Sequence, residues 1–370
     1  MEISSFVAVP LAGMTLAQLG AEVVRIDPVG GAADYRRWPL TEADESIYWA
    51  GLNKGKRSME VDLRSADGQE LVQRLIAAAG VFITNVSGRQ WHSYETLRGL
   101  RPDLIHLEVL GRGDGSTGVD YTVNAATGFP LVTGPADHVG PVNHVMPAWD
   151  VSCGLYAALS VLAALRQRDA TGCGSAIRLP LDDVALATAA NLGFLTEVMV
   201  TGQQRPRLGN AIFGQYGRDF TSSDGVSFMV VALTPRHFRD LVDLTGTAGE
   251  VAALQESLRV DFDDEGSRYE NREVLNEVFA SWFAVHKAGE VSAALAASSV
   301  LWERYQSFAE VVESPRVQDN PLFAPLQQPR VGTYLAPGLP MSVDGAHTVA
   351  AAAPALGQDN DTLPADWLGA

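Results

Sequence analysis

Residues 10–31, PLAGMTLAQLGAEVVRIDPVGG, decide the fold class. Leu11, Met14, Leu16 and Leu19 recur on or near one face of a helix that opens at Pro10 and stops at Gly20. Residues 21–26, AEVVRI, then read as a strand closed by Asp27-Pro28. The same alternation continues outward. A helix is expected over 66–78, with Leu71, Leu75 and Ile76 inward and Gly80 past its end. Strands follow at 81–85 and 103–110, separated by a short helix at 94–100. Short Val- and Ile-rich strands alternating with helices predict a parallel sheet covered by helices. A strand ordinarily precedes the first helix of such a fold, so Met1 is expected to lie inside the first strand.

Further along, 151–168 is an Ala- and Leu-rich helix, 175–179 a strand and 181–200 one long helix. Composition changes at 201–225, where glycines and clustered arginines show no clear period. One strand at 228–233 and several helices to about 310 read as a second, smaller domain. The tail is proline-rich with short extended pieces. The expected division is therefore 1–200 for the first part of a large domain, 201–310 for the small domain with its linker, and 311–370 for a C-terminal return.

The 370 residues are 46% hydrophobic and 19% charged, enough for a sizeable core and about two domains. The best apolar run, 155–165, ends in Arg166 and is shorter than the ~20 residues a membrane span needs. The start, MEISSFVAVPLAG, lacks the basic opening and cleavage site of a signal peptide. Cys153 and Cys173 form no CxxC pair. These features point to a cytoplasmic protein with no membrane partner. A net charge of −17 repels phosphate backbones and argues against nucleic acid as a partner. An anionic metabolite would need locally gathered cations. Arg36 and Arg37 follow Gly30-Gly31, and Lys54, Lys56, Arg57 and Arg64 fall within eleven residues. They read either as a solvated face or as a polyphosphate site.

Residues 113–118, GDGSTG, match GxGxxG after a strand, but VDYTVNAATGFP behind them is a poor helix, and no acidic residue sits at a following strand end. This is read as a plain glycine-rich loop. No serine stands in GxSxG. Asp137, His138, His144 and Asp150 fit no ligand spacing, so no metal is expected. Asp150, in MPAWD, stands directly before a helix. It suits an N-cap. It also suits a nucleophile, because a helix N-terminus keeps a carboxylate ionised.

PLAGMTLAQLGAEVVRIDPVGG, NKGKRSMEVDLRS, VFITN and PAWDVSCG together resemble the family III CoA-transferases, over most of the chain from Pro10 to the proline-rich tail. The resemblance implies an α/β fold, with a Rossmann-like large domain on a parallel sheet, made from both chain ends, plus a smaller α+β domain. It implies an interlocked homodimer acting on a small-molecule acyl-CoA, with coenzyme A as part of the substrate and no tightly bound cofactor. Asp150 falls on the family's nucleophile, Arg37 or Arg36 and Arg64 on its CoA-phosphate contacts, and Asn85 beside the CoA. GNAIFGQYG, residues 209–217, falls on a glycine-rich lid, with Gly214 and Gln215 as its candidates, and is poorer in glycine than that lid. The family's racemases carry a His where Val119 stands and a Glu where Thr234 stands, so proton transfer at an α-carbon lacks its bases here. The fuller wording RIDPVGG, DYRRWP, YWAGLNKGKRS, VNHVMPAWD, YGRDF and DNPLF is similar to members that move CoA between the two carboxyls of one diacid. The alternative is intermolecular transfer to a separate acid. His144 and Arg218 are candidates for holding the idle carboxylate.

Overall fold

The computed structural model describes residues 1–368. Its larger unit holds a six-stranded sheet in which every pairing is parallel. The strands are β1 (Glu2–Ile3), β2 (Val24–Pro28), β3 (Arg57–Val61), β4 (Val81–Thr84), β5 (Ile105–Leu110) and β6 (Ser175–Pro180), in the order β3-β2-β1-β4-β5-β6. Helices intervene: α1 (Ala8–Gln18), α2 (Ile47–Leu52), α3 (Ala66–Ala79), α4 (Tyr94–Leu100), α5 (Asp120–Ala126), a single turn α6 (Phe129–Val132) that groups with the smaller unit, and α7 (Ala148–Thr171); α8 (Leu181–Asn191) and α9 (Phe194–Thr201) follow β6. This is the Rossmann-like α/β arrangement. Its chain order reverses between β1 and β4.

Local chemistry accounts for the element ends. Ser65 accepts a hydrogen bond from the Gly68 N–H to open α3, and Gly80, at φ 68°, closes it. The segment expected to be a poor helix forms α5, because the Thr122 hydroxyl accepts from the Val119 N–H at 3.0 Å and satisfies a donor at the helix start. The long helix expected over 181–200 is two helices bent by 59°, with Gly193 at φ 85° between them. By length and composition α7 could cross a membrane. Here it packs against α1, where Gly154 lets the two backbones approach.

The larger unit comprises Met1–Gly128, Asn143–Gln204 and Ser314–Ala370. Its returning tail seals the edge strand β3. Asp359 accepts from the Ser58 N–H at 2.9 Å and Asn360 from the Glu60 N–H at 2.8 Å, groups that an open edge would leave unpaired. Leu363 is buried among Val72, Leu75 and Phe82.

The smaller unit comprises Phe129–Val142 and Arg205–Glu313. It holds an antiparallel sheet of β7 (Tyr216–Thr221), β8 (Ser227–Ala232) and β9 (Leu301–Arg304), where the sequence reading expected one strand. Phe220 stacks on Phe283 at 4.5 Å within its core. Residues 129–142 group here because Arg207 donates to the carbonyls of Pro130, Leu131, His138 and Gly140.

A Cβ on Gly154 would sit 2.7 Å from the Ala8 carbonyl oxygen and 3.1 Å from Leu11. Gly154→Ala should therefore push α1 and α7 apart and destabilise the fold by about 1–3 kcal/mol. The urea midpoint measures this; an unchanged midpoint would contradict the close approach.

Candidate active site

Open parallel sheets bind ligands beyond the carboxyl ends of their strands, where the chain order reverses. A cleft of about 570 Å³ lies there. Ser5 and Phe6, following β1, Asn85, following β4, and Leu110 of β5 contribute to its wall. The Asn85 amide donates to the Ser5 carbonyl at 2.8 Å, and its oxygen accepts from the Ser5 N–H at 3.0 Å. That reciprocal pair ties the two loops at the reversal point. Phe6 takes a left-handed φ of 63°, uncommon for a bulky residue, as the chain turns from β1 into α1.

Asp150 opens on this cleft from the first turn of α7. It is not the cap that its place in the sequence suggested. Pro147 holds the cap position, and the side chain that serves the helix end comes from Asp120, at the start of α5. Its Oδ2 accepts from the N–H groups of Trp149, at 2.8 Å, and Asp150, at 3.1 Å. Its Oδ1 lies 3.4 Å from His144 Nε2. The Trp149 indole donates to Asn124, one turn further along α5. The Asp150 carboxylate accepts no hydrogen bond among the described residues. Burial and the Asp120 charge raise its pKa to about 6, and the Arg37 charge opposes them. At about 6 it is still mostly ionised at neutral pH, but its surroundings work against the charge, where the helix-dipole argument expected them to favour it. Burial and the Asp150 charge push the Cys153 thiol up to about 12, so it stays protonated.

The basic residues divide. The Arg37 guanidinium lies over the rings of Phe6, at 5.2 Å, and Tyr48, at 5.0 Å, and lines the cleft. Arg36 and Arg64 are exposed and do not line it. Lys56 is buried on Glu2, Pro10 and Asn53, and Arg57 clamps Glu22, Asp359 and Asp366. Those two belong to the scaffold. His144 joins Asp150 through Asp120. Gly214, Gln215 and Arg218 belong to the smaller unit. There Gln215 donates to Glu265, and Arg218 bonds the Asp219 carbonyl. Thr234 caps a helix by accepting from the His237 N–H. Asp137 and His138 also lie in the smaller unit, and no metal-type cluster occurs among the described residues.

Two cleft residues escaped the sequence reading. Asp120 was passed over in a segment read as a poor helix. Tyr48 lines the cleft with its hydroxyl buried and without a hydrogen-bond partner among the described residues, and burial pushes its pKa up to about 12. It is a donor in search of an acceptor.

The Rossmann-like sheet and a cleft carboxylate at its reversal point agree with the sequence comparison: residues 1–360 match CoA-transferase family III, and the chain belongs to that family of enzymes. Over its whole length it is 44% identical to a 2-methylfumaryl-CoA isomerase of Chloroflexus aurantiacus, covering 92% of that protein. It is 28% identical to a succinyl-CoA:mesaconate CoA-transferase of Haloarcula hispanica, over 89% of this chain and 84% of the relative. A CAIB/BAIF family protein of Brucella suis has a crystal structure that superposes with a TM-score of 0.82, at 25% identity, over 99% of this chain and 98% of that one.

A carboxylate nucleophile acts only when deprotonated. With Asp150 raised to about 6, any reaction that uses its carboxylate should reach a plateau above neutrality and fall as pH drops through about 6. The pH–rate profile reads this, with the ¹³Cγ titration of Asp150 assigning the inflection to its carboxyl. Inflection near 4, the ordinary Asp range, would contradict the effect of burial.

Proposed function

We propose that this enzyme moves CoA within one molecule, converting 2-methylfumaryl-CoA to 3-methylfumaryl-CoA through an aspartyl-CoA thioester on Asp150. The single observation that carries the chemistry is the unbonded Asp150 carboxylate facing a cleft at the sheet's reversal point. The 44% identity to a 2-methylfumaryl-CoA isomerase supports the substrate.

In this mechanism an Asp150 oxygen attacks the thioester carbonyl. The C–S bond breaks, CoA thiolate leaves, and a mixed anhydride forms. The thiolate attacks the aspartyl carbonyl, giving the enzyme thioester and the free diacid. The diacid's other carboxylate then attacks the enzyme thioester and expels the thiolate. That thiolate attacks the substrate carbonyl of the new anhydride, releasing product and restoring Asp150. No net proton moves, and four easier displacements replace one hard exchange. The Tyr48 hydroxyl supplies a donor to a substrate oxygen. Confinement favours the intramolecular course, because a retained diacid has an effective concentration of order 10⁵ M in well-oriented cases.

Arg36 or Arg37, Arg64 and Asn85 are assigned to CoA, and Gly214 and Gln215 to a lid that excludes water. His144 and Arg218 are assigned to the idle carboxylate. The reading includes a small-molecule acyl-CoA substrate, a cytoplasmic location for the enzyme and an interlocked homodimer. Exposed apolar Leu155, Leu159, Met199 and Val200 on α7 and α9 support a partner surface. Relatives that transfer CoA between separate acids favour the alternative intermolecular course.

Asp150→Asn should retain the fold by circular dichroism and lose turnover by a factor of about 10⁴ or more. Hydroxylamine should trap the wild type at Asp150 only after a CoA thioester is added. Incubation with unlabelled thioester and excess ¹³C-labelled free mesaconate should leave the product unlabelled. Label entering at the turnover rate would establish the intermolecular course instead.

A further inference from the structure

A carboxylate in the first turn of a helix ordinarily gains from the free N–H groups and the positive end of the dipole. Both lower its pKa, and a less basic oxygen is a weaker nucleophile. Asp150 occupies such a turn, yet the N–H groups of Trp149 and of Asp150 itself are taken by Asp120 Oδ2, at 2.8 and 3.1 Å. Asp120 is 2% exposed and comes from α5, about thirty residues earlier in the chain. Its second oxygen faces His144. We propose that Asp120 is a positioning residue for Asp150: by occupying the donors of the first turn of α7, it leaves the Asp150 carboxylate unbonded toward the cleft and preserves its nucleophilicity. The proposal deepens the reading of Asp150 as nucleophile and rests on it.

The charge of Asp120 acts in the same direction as its hydrogen bonds. Two carboxylates close together resist being ionised at once, and Asp120 is the one held by two amides. Asp120 on α5 and Arg37 in the segment after β2 act on the Asp150 carboxyl, and Cys153 one turn along α7 and Tyr48 of α2 feel its charge, while Tyr121 on α5 lines the same cleft and His144 in the loop before α7 faces Asp120. Arg37 alone among them draws the carboxyl down. Asp120 therefore offsets the attraction of Arg37, a cation that an anionic substrate also needs.

The test compares wild type with Asp120→Asn. Asn keeps a carbonyl acceptor for the two amides but carries no charge, so the helix end survives while the electrostatic part is lost. Single-turnover formation of the Asp150 thioester should show its acid limb moved to lower pH by about one unit. The plateau rate should fall roughly two- to tenfold, with the KM for the CoA thioester unchanged. Asp120→Ala removes the acceptor as well and should lower the Tm in addition. A limb and plateau equal to wild type in Asp120→Asn would reduce Asp120 to a helix cap. A raised KM with unchanged plateau would make it a substrate contact, and either result overturns the proposal. The Asp150 carboxyl is also titrated by ¹³C NMR, as the resonance missing from Asp150→Asn. This readout needs no turnover. Absence of a trapped adduct in wild type defeats the nucleophile reading, whereas a ¹³C titration unmoved by Asp120→Asn defeats the role given to Asp120.

Discussion

Two cations whose side chains have no access to water tie β1, β2, α1 and α2 together beside the cleft. Arg25 of β2 is fully buried and spends its guanidinium on Asp27, Asp34, Asn53 and the Ser4 carbonyl, beneath the Trp49 ring at 4.3 Å. Lys56 reaches Glu2, the Pro10 carbonyl and the same Asn53 oxygen, each at 2.8 Å. Burial drags the Lys56 pKa down to about 8, with Glu2 resisting, while Asp27, Asp34 and Glu2 hold Arg25 charged against its burial. Removing one partner from such a set strands a charge and costs about 3–5 kcal/mol. The network joins β1, β2, α1 and α2, and through them it sets the site. Asp34 anchors the segment that ends at Arg37. The Ser46 hydroxyl then donates to the Arg37 carbonyl and accepts from the Trp49 N–H, fixing α2 and with it Tyr48. Gly13 belongs to the same constraint, because a Cβ there would fall 1.7 Å from a Glu2 oxygen.

This use of charge explains why an acidic protein with a run of cations does not present them all to its ligand. Of the basic residues between 54 and 64, Lys56 is neutralised inside the large unit and Arg57 fastens the C-terminal return to β3. Lys54 turns back onto the Gly51 carbonyl. Arg64 alone in that run stays exposed with no side-chain partner among the described residues. The positive field left near the Asp150 carboxylate comes from Arg37, resting on Phe6 and Tyr48. A flat guanidinium on aromatic faces keeps its hydrogen-bonding edge available for an anion.

Sequence reasoning read the alternating elements well because their signals are local. The helix faces, Gly80 after α3 and the Val- and Ile-rich strands are each decided within a few residues. It failed where a distant group supplied the deciding interaction. VDYTVNAATGFP has a weak helical pattern, yet it forms α5 once Thr122 bonds the Val119 N–H and its far side packs on α7 and α8. Leu181 to Val200 carries helix formers throughout, and Gly193 at positive φ still divides it.

The chain by itself determined the class of fold and the family and singled out Asp150 as a candidate, since apolar periodicity and motif wording are properties of neighbouring residues. Tertiary structure decided how that carboxylate is held. Which N–H groups it can bond depends on Asp120, about thirty residues away, and no spacing rule joins a residue on one helix to the first turn of another. The environment decided its acidity too: adjacency to a helix start predicts an ordinary or lowered value, whereas burial and a neighbouring carboxylate raise it. Solvation and charge are sums over everything nearby in space, and only folding brings β1, α2, α5 and α7 to one cleft.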